Sequence, residues 1–181
     1  TDPSIYEAIV GPSRNAGVAQ SLSQTGRALV AFLDLPLLSA DQNAWDPLTA
    51  AFASPWPGAV VILRSASDSN YQTDMTLTLA ANIGETASDL PSGPASRWDF
   101  GNSVGVKLYN GTLESLDDLS VFGGGNALAI ENADGEWEVL QFANATLTGT
   151  NEWTLSRLLR AQAGTESAMR DPVASGARVV V

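Results

Sequence analysis

Carboxylates are the side chains best able to do chemistry in this chain of 181 residues, because it has no His and no Cys. That absence excludes catalysis by a Ser or Cys paired with His, zinc sites built from imidazole or thiolate, and disulfides. A glycosidase needs two carboxyl groups roughly 5 to 9 Å apart across a cleft. Glu136 and Glu138 would lie about 7 Å apart on one face of a strand. Asp117 with Asp118 and Asp134 with Glu136 are the other acidic pairs close in sequence. We favour the interpretation that Glu136 and Glu138 lie on a solvated strand face, because any acidic β protein contains such pairs.

Two loops resemble ligand sites without meeting their requirements. Asn132-x-Asp134-Gly135-Glu136 has oxygen ligands at alternating positions, but it lacks the later bidentate Glu of a calcium loop. Asp-Gly also serves any tight hairpin. Gly123-Gly124-Gly125 is too short and isolated to cradle a phosphate. We therefore expect no metal, no cofactor and no catalytic residue.

The aromatic residues leave a carbohydrate-binding surface open as an alternative. Five Trp and three Tyr could line a sugar platform, although core filling is the default for an aromatic side chain in a β protein. Trp56, between Pro55 and Pro57, is the best candidate for an exposed aromatic ring.

The charge balance restricts the partners. Nine basic and 20 acidic residues give a net charge of −11, which argues against tight binding of nucleic acid, since that needs clustered Lys and Arg. No apolar run approaches the roughly 18 residues of a membrane-spanning helix, so we expect no membrane insertion. The first residues, Thr1-Asp2-Pro3-Ser4, lack an initiator Met and a signal-peptide pattern, and we expect a soluble segment of a longer chain.

The apolar runs predict strands. Met75, Leu77 and Leu79 alternate with Thr residues, and this period of two indicates strands with one buried face. The predicted strands are Ala28–Leu33, Ala59–Leu63, Met75–Ala81 and Val104–Tyr109. Ala59–Leu63 is apolar throughout, as in a strand covered on both sides.

Turn signals connect these runs. Asn110-Gly111 predicts a two-residue hairpin turn with positive φ at both positions, leading into Thr112–Leu116. Two further hairpins are predicted at Asn132–Gly135 and Thr148–Glu152, and helix is confined to Leu116–Leu119 and Thr154–Arg160. The prediction is a mainly β fold, an antiparallel sandwich or partly open barrel of several hairpins with little helix.

The domain organisation is predicted from the segments that interrupt the apolar runs. Residues 1–26 are predicted to be an N-terminal arm or linker, and residues 27–181 a β module. Gly84–Arg97, rich in Pro, Gly and hydroxyl residues, is predicted to be a long surface connection. Two subdomains, if there are two, would divide near residues 84–97.

One string near the C-terminus combines charge with a turn. Arg157 and Arg160 flank Leu158-Leu159 and are followed by Gly164-Thr165-Glu166. We interpret both Arg residues as structural, with the Gly164 turn bringing Glu166 back within reach of an Arg fork.

Several ordered motifs together resemble a known family. They are Trp98-Asp99-Phe100-Gly101-Asn102-Ser103-Val104, Leu113-x-Ser115, Gly125-Asn126-Ala127, Glu138-Val139-Leu140-Gln141-Phe142-Ala143, and Trp153 through Glu166. This set, between about Arg27 and Val181, is similar to the C-terminal region of the large baseplate-hub tail protein of gene transfer agents and related tailed phages. Those proteins also carry a glycoside-hydrolase-like TIM barrel upstream. Family members usually have Gly at position 161 and often Arg at position 163, where this chain has Ala161 and Ala163.

The resemblance implies a non-enzymatic virion component of the tail tip, used in particle assembly and in host attachment or delivery. It would be produced in the bacterial cytoplasm and would contact other copies of itself and neighbouring tail or baseplate proteins. The alternative is a carbohydrate- or receptor-binding β module, with a cell-surface glycan as partner, and the third is a carboxylate-dependent glycosidase. Eight residues are expected to form the structural motif: Trp98, Asp99, Asn110, Gly111, Arg157, Arg160, Gly164 and Glu166.

Overall fold

A computed structural model describes residues 26–38, 42 and 47–181, so residues 1–25 of the predicted arm lie outside the described residues. This part of the chain contains ten strands, one short helix and one 3-10 turn. The strands are β1 Leu29–Leu33, β2 Leu48–Phe52, β3 Val60–Arg64, β4 Gln72–Leu77, β5 Ile83–Thr86, β6 Asp99–Leu108, β7 Ala127–Glu131, β8 Trp137–Gly149, β9 Glu152–Gln162 and β10 Arg178–Val180. The helix α1 spans Asp118–Phe122, and the 3-10 turn spans Glu166–Ala168. The prediction of a mainly β fold with little helix is confirmed.

Six strands close into an antiparallel barrel in the order β10-β5-β6-β9-β8-β7. Alternate residues Val104, Val106 and Leu108 of β6 point inward and are at most 1% exposed, as their period of two predicts. They pack with apolar side chains from every other barrel strand except β5; these include Leu128, Ile130, Leu140, Phe142, Leu155, Leu158 and Val179. Burial of these side chains is the main stabilising term of the barrel.

Two of the predicted hairpins are confirmed. Asn132–Gly135 joins β7 to β8, and Gly135 adopts φ +82°. The turn around Asn151 joins β8 to β9, and Asn151 adopts φ +56°. Asn and Gly tolerate this left-handed conformation, which is why local sequence was sufficient to locate both turns.

The hairpin predicted at Asn110-Gly111 is wrong. Gly111 has φ +89°, but Asn110 does not have positive φ, and Thr112–Leu116 forms no strand. Both edges of β6 are already occupied, by β5 on one side and β9 on the other. Gly111 instead makes a close approach, because a Cβ there would lie 2.5 Å from Asn82 Cγ.

The segment Gly84–Arg97 is not a surface connection along its whole length. Gly84–Thr86 belongs to β5, which pairs with β6 and β10. Leu90 is fully buried and exchanges backbone hydrogen bonds of 2.8 and 2.9 Å with Val173. Leu90 and Val173 both belong to the apolar core of the barrel, so this segment contributes to the core at Leu90. The number of independently folding units in residues 27–181 stays a prediction.

Two hairpins precede the barrel. Ala31, Leu33 and Ala50 of the β1–β2 hairpin form a cluster with Ile83, Ala129 and Trp137 of the barrel region, so this hairpin packs on it. The β3–β4 hairpin is a separate two-stranded sheet. The prediction that Ala59–Leu63 is covered on both sides is wrong, since Val61 and Leu63 are 50% and 54% exposed.

The remaining differences concern boundaries and helix. The strand predicted at Met75–Ala81 is β4, which begins earlier and ends at Leu77. The helix predicted at Leu116–Leu119 begins two residues later, and Thr154–Arg160 is not helical but lies inside β9. In β9 the side chains of Leu155 and Leu158 both lie in the barrel interior although they are three residues apart. Arg157, at φ +55°, and a bulge opposite it in the β6–β9 pairing, between Asp99 and Ser103, reconcile that odd spacing with the strand.

Two alanines after this bulge adopt a backbone conformation that favours glycine. Ala161 and Ala163 both have φ +55°. The family resemblance places Gly at position 161, which fits this conformation. Ala161 is buried, so its methyl group also contributes packing, whereas Ala163 is exposed.

Ala163→Gly is therefore expected to raise the free energy of unfolding by about 0.5 to 1 kcal/mol, because relief of left-handed strain exceeds the added flexibility of the unfolded chain. Ala127→Gly, at an exposed strand position without positive φ, is the matched control and should lower it by about 0.5 to 1 kcal/mol. Denaturant unfolding of both variants measures the difference. A destabilised Ala163→Gly would contradict the strain argument.

Candidate functional site

The C-terminal string is fixed by a buried ion pair between neighbouring strands β9 and β8. Arg160 is 0% exposed and Glu138 is 1% exposed. Arg160 Nε and Nη2 donate to Glu138 Oε1 and Oε2, each at 2.7 Å, and Nη1 donates to the Pro91 carbonyl oxygen at 2.8 Å. The Ala161 backbone N–H also donates to Glu138 Oε1 at 3.1 Å. Each guanidinium nitrogen of Arg160 and each carboxylate oxygen of Glu138 therefore has a hydrogen-bond partner, which a buried ion pair needs to be tolerated.

This geometry corrects two interpretations of the sequence. Glu138 is not part of a solvated strand face with Glu136; it is buried, and Glu136 is exposed before the strand begins. Arg160 does not fork around Glu166, which is exposed at the start of the 3-10 turn beyond Gly164. Arg160 pairs with Glu138 and not with Glu166 because β8 and β9 are hydrogen-bonded neighbours, so side chains on the same face of these two strands meet directly.

Asp99 organises the start of β6 directly beside this pair. Its buried carboxylate accepts hydrogen bonds from the backbone N–H groups of Gly101 and Asn102, both at 3.0 Å, and from Asn102 Nδ2 at 2.7 Å. A Cβ at Gly93 would overlap Asp99 Oδ2 and lie 3.3 Å from Arg160 Nη1. Asp99 therefore fixes the turn of the backbone from Asp99 to Asn102, on which Phe100 lies, and Trp98 directly precedes this turn.

Those two aromatic residues surround Arg157. The Arg157 guanidinium carbon lies 5.0 Å from the centre of the Trp98 ring and 5.7 Å from that of Phe100. Its Nη2 donates to both carboxylate oxygens of Asp118, at 2.7 and 2.8 Å. The Trp98 ring also packs against Phe122, with ring centres 5.5 Å apart. We call Trp98, Phe100, Asp118, Phe122 and Arg157 the aromatic–arginine cluster.

Arg157 is held there at an energetic cost. Its φ of +55° is unusual for a residue with a side chain, and its buried Nε has no hydrogen-bond partner in the part of the chain that the structure describes. Backbone strain and unpaired polar atoms concentrate at functional sites, so both features point to this cluster as the candidate site.

Helix α1 adds apolar side chains to the outside of the cluster. Asp117 caps the helix by accepting hydrogen bonds from Ser120 N and Oγ at 3.0 and 2.9 Å, and these bonds lower the pKa of the Asp117 carboxyl. Val121 is fully buried and anchors the helix against the barrel. Leu119 and Phe122 face outward, 81% and 62% exposed.

Phe100, which is 72% exposed, is linked to this surface through Arg157, which contacts both Phe100 and the Trp98 ring on which Phe122 packs. We call Phe100, Leu119 and Phe122 the docking patch. The patch consists of large apolar side chains, and it lies on elements fixed by the barrel, the Asp117 cap and the Arg157–Asp118 ion pair. Such rigid, exposed aromatic side chains are typical of recognition surfaces.

The predicted motif residues thus divide into separate groups. Trp98, Asp99 and Arg157 lie together, and Arg160 lies in the buried pair beside them. Asn110 and Gly111 belong to the turn near Asn82, and Gly164, at φ +81°, and Glu166 to the turn after β9. Leu119 and Phe122 were not among the site residues predicted from the sequence. Their i, i+3 spacing beside a predicted helix was the available signal.

The other candidate sites are occupied by the protein itself. Arg170 Nη2 donates to Asp134 Oδ2 at 2.8 Å and to Glu136 Oε2 at 2.7 Å, so an arginine closes the loop that resembles a calcium site. Within residues 26–38, 42 and 47–181, no three metal-ligating side chains gather in one place. Trp56 is half-buried rather than exposed, and its Nε1 donates to the Thr78 carbonyl oxygen at 3.3 Å.

The barrel carries the family signature. A sequence model of the family described as "Rcc01698-like, C-terminal" matches residues 81–180. The chain belongs to this family. The match includes the whole barrel and every residue of the aromatic–arginine cluster, and it is compatible with a structural module of a phage-like or gene-transfer-agent-type particle. No curated protein matches the chain. None of the helices described in this Rcc01698-like domain is long and apolar enough to cross a membrane.

Proposed function

We propose that this Rcc01698-like domain is a non-enzymatic structural module of a phage-like tail tip, part of the baseplate hub, and that its docking patch binds a neighbouring tail protein. This role would serve particle assembly and host attachment or delivery. The observation that carries the proposal is the exposure of Phe100, Leu119 and Phe122 on a rigid frame. Large apolar side chains that remain exposed on a rigid frame are typical protein-binding hot spots.

The acidic residues that could have served as catalytic groups are paired with arginines or cap a helix, and this supports a role without catalysis. Glu138 is bound by Arg160, and Asp134 and Glu136 are bound by Arg170. Asp118 is paired with Arg157, and its neighbour Asp117 caps α1. A glycosidase needs one acid and one base free to face a substrate, and none of the paired acids considered from the sequence is free in this way. The third alternative is therefore the least favoured.

A glycan-binding role is less favoured than a protein-binding one. A sugar ring stacks on an open aromatic face and also needs polar groups that fix its orientation. Arg157 lies over the rings of both Trp98 and Phe100, and Phe122 packs on Trp98 as well. The remaining surface of Phe122 and Leu119 is apolar, which suits the side chains of a protein partner.

The test replaces part of the patch with polar residues. Leu119→Ser combined with Phe122→Ser should weaken binding of the chain to purified tails assembled without it by at least tenfold, or about 1.4 kcal/mol. Phe32→Ser is the matched control, because Phe32 is 56% exposed on β1, outside the patch. Thermal melts verify that both variants remain folded.

Three outcomes separate the alternatives. Tail binding lost only in the patch variant supports the proposal. Unchanged tail binding by the patch variant contradicts it. Wild-type binding on a glycan array that disappears in the patch variant, with tail binding intact, would establish the carbohydrate-binding alternative instead.

A further inference from the structure

Asn110-Gly111 is a motif whose first residue the fold does not explain. An Asn at this place would serve a two-residue hairpin turn, but Asn110 lacks the positive φ that such a turn needs. Its side chain is exposed, and its one hydrogen bond within the described chain is long, from Nδ2 to Asn82 Oδ1 at 3.5 Å. The backbone conformation therefore gives no reason for an Asn at position 110.

Gly111, in contrast, is required by the fold. Its φ is +89°, and a Cβ there would lie 2.5 Å from both Cγ and Oδ1 of Asn82. A residue with a side chain would be strained at this φ and would overlap Asn82. Asn110 is thus followed by a residue that has no Cβ to hinder an approach to its backbone nitrogen.

The backbone N–H of Gly111 also has no hydrogen-bond partner in the part of the chain that the structure describes. Most backbone N–H groups of a folded chain have one, as Tyr109 has in the Ile83 carbonyl oxygen at 2.9 Å. A backbone nitrogen without a partner can lose its proton to water and become a nucleophile. Attack on the neighbouring Asn110 Cγ closes a five-membered ring, and proximity strongly accelerates such intramolecular reactions.

We propose that Asn110-Gly111 is a self-modifying site, at which the folded chain deamidates in water without an enzyme. The Gly111 nitrogen attacks Asn110 Cγ, a new C–N bond forms, and the Cγ–Nδ2 bond breaks. The amide group leaves as ammonia, taking up the proton that the Gly111 nitrogen loses. Water then opens the cyclic imide at either of its carbonyl carbons, which yields Asp or isoaspartate at position 110.

This reaction adds one negative charge to a chain whose net charge is already −11. Because water is the only co-reactant, the modified fraction increases with the time since folding. The proposal uses no residue of the docking patch, so it can fail or succeed independently of the proposed tail-binding function.

The turn between β7 and β8 shows how the fold protects a similar pair. Gly135 follows Asp134, but its N–H donates to the Asn132 carbonyl oxygen at 3.0 Å. The Asp134 carboxylate is held by Arg170, whose Nε and Nη2 donate to Oδ2 at 3.0 and 2.8 Å. Both groups that would have to react are engaged in this turn, so the same spacing of residue types is blocked there.

The test places the same dipeptide in both settings within one chain. Asp134→Asn creates a second Asn-Gly pair, and thermal melts verify that the variant is folded. Peptide mapping by mass spectrometry then follows the formation of Asp and isoaspartate at each position during incubation at neutral pH. In the folded chain, position 110 should convert at least tenfold faster than position 134, because the hydrogen bond of Gly135 must open first. In denaturant, the two positions should convert at similar rates.

Three results would overturn the proposal. They are an unmodified position 110 in the folded wild-type chain, equal rates at the two positions in the folded variant, and a rate difference that persists in denaturant. The last result would attribute the difference to the neighbouring residues and not to the fold.

Asn110→Gln is the second variant, because its longer side chain cannot close the five-membered ring. It should melt like the wild-type chain, since the side chain at position 110 is exposed, and it should lose most of the gain in negative charge on incubation. Isoelectric focusing of the intact chain measures this gain. An unchanged rate of charge gain in Asn110→Gln would assign the reaction to another residue and contradict the proposal.

Discussion

Arg160→Ala should lower the free energy of unfolding by about 3 to 5 kcal/mol, because it leaves the Glu138 carboxylate buried without its counter-charge. The Pro91 carbonyl oxygen would also lose the hydrogen bond from Arg160 Nη1. Arg160→Lys should recover only part of this loss, since the three bonds come from three separate nitrogens of a planar guanidinium and a single ammonium nitrogen cannot reproduce that geometry. Denaturant unfolding of the three proteins at neutral pH measures the series.

The matched control is Arg170→Ala. Arg170 also contacts two carboxylates, those of Asp134 and Glu136, but its side chain is 35% exposed and theirs are 65% and 52% exposed. Water can replace the lost partner there, so the expected loss is at most about 1 kcal/mol. A double variant, Arg160→Met with Glu138→Leu, should recover much of the stability, because it removes both charges and keeps the volume. If Arg160→Ala were as mild as Arg170→Ala, the buried pair would not have the role assigned to it.

The second large effect is expected from Gly84→Ala. Gly84 lies in β5 opposite Leu108 of β6. A Cβ at this position would overlap the Lys107 carbonyl oxygen and lie 2.9 Å from Leu108 Cα, both of which are backbone atoms of the barrel. Because backbone atoms cannot rotate away, β5 and β6 would have to separate. We expect a loss of roughly 3 kcal/mol in the free energy of unfolding, at the upper end of what an added methyl group costs in a packed site.

Gly149→Ala controls for the substitution itself. Gly149 ends β8 without positive φ, and an added Cβ would lie 3.5 Å from Glu152 Cβ, at ordinary contact distance. The Gly149→Ala variant should therefore differ from the wild-type chain by less than about 1 kcal/mol in free energy of unfolding. If Gly84→Ala and Gly149→Ala lowered the free energy of unfolding by the same amount, the close approach of β5 to β6 would not require glycine at position 84.

The sequence by itself determined the features that depend on near neighbours along the chain. Alternation at Val104, Val106 and Leu108 predicted a strand with one buried face, and Asp134-Gly135 predicted a hairpin, because both depend on the local backbone alone. The absence of His and Cys restricted the available chemistry. The ordered motifs from Trp98 to Glu166 predicted a family of phage-like tail proteins. The family match establishes that the chain belongs to the Rcc01698-like C-terminal family.

The tertiary structure decided which residues meet. Asn110-Gly111 satisfies the local rule for a hairpin, yet β6 is paired on both edges by β5 and β9, whose positions depend on the closure of the barrel. Arg160 had a nearby acid in Glu166, but strand pairing placed Glu138, 22 residues away, against its guanidinium. The docking patch joins Phe100 to α1 through Arg157. Such contacts are absent from any local pattern because they form only once burial of the apolar core has fixed the register of distant strands.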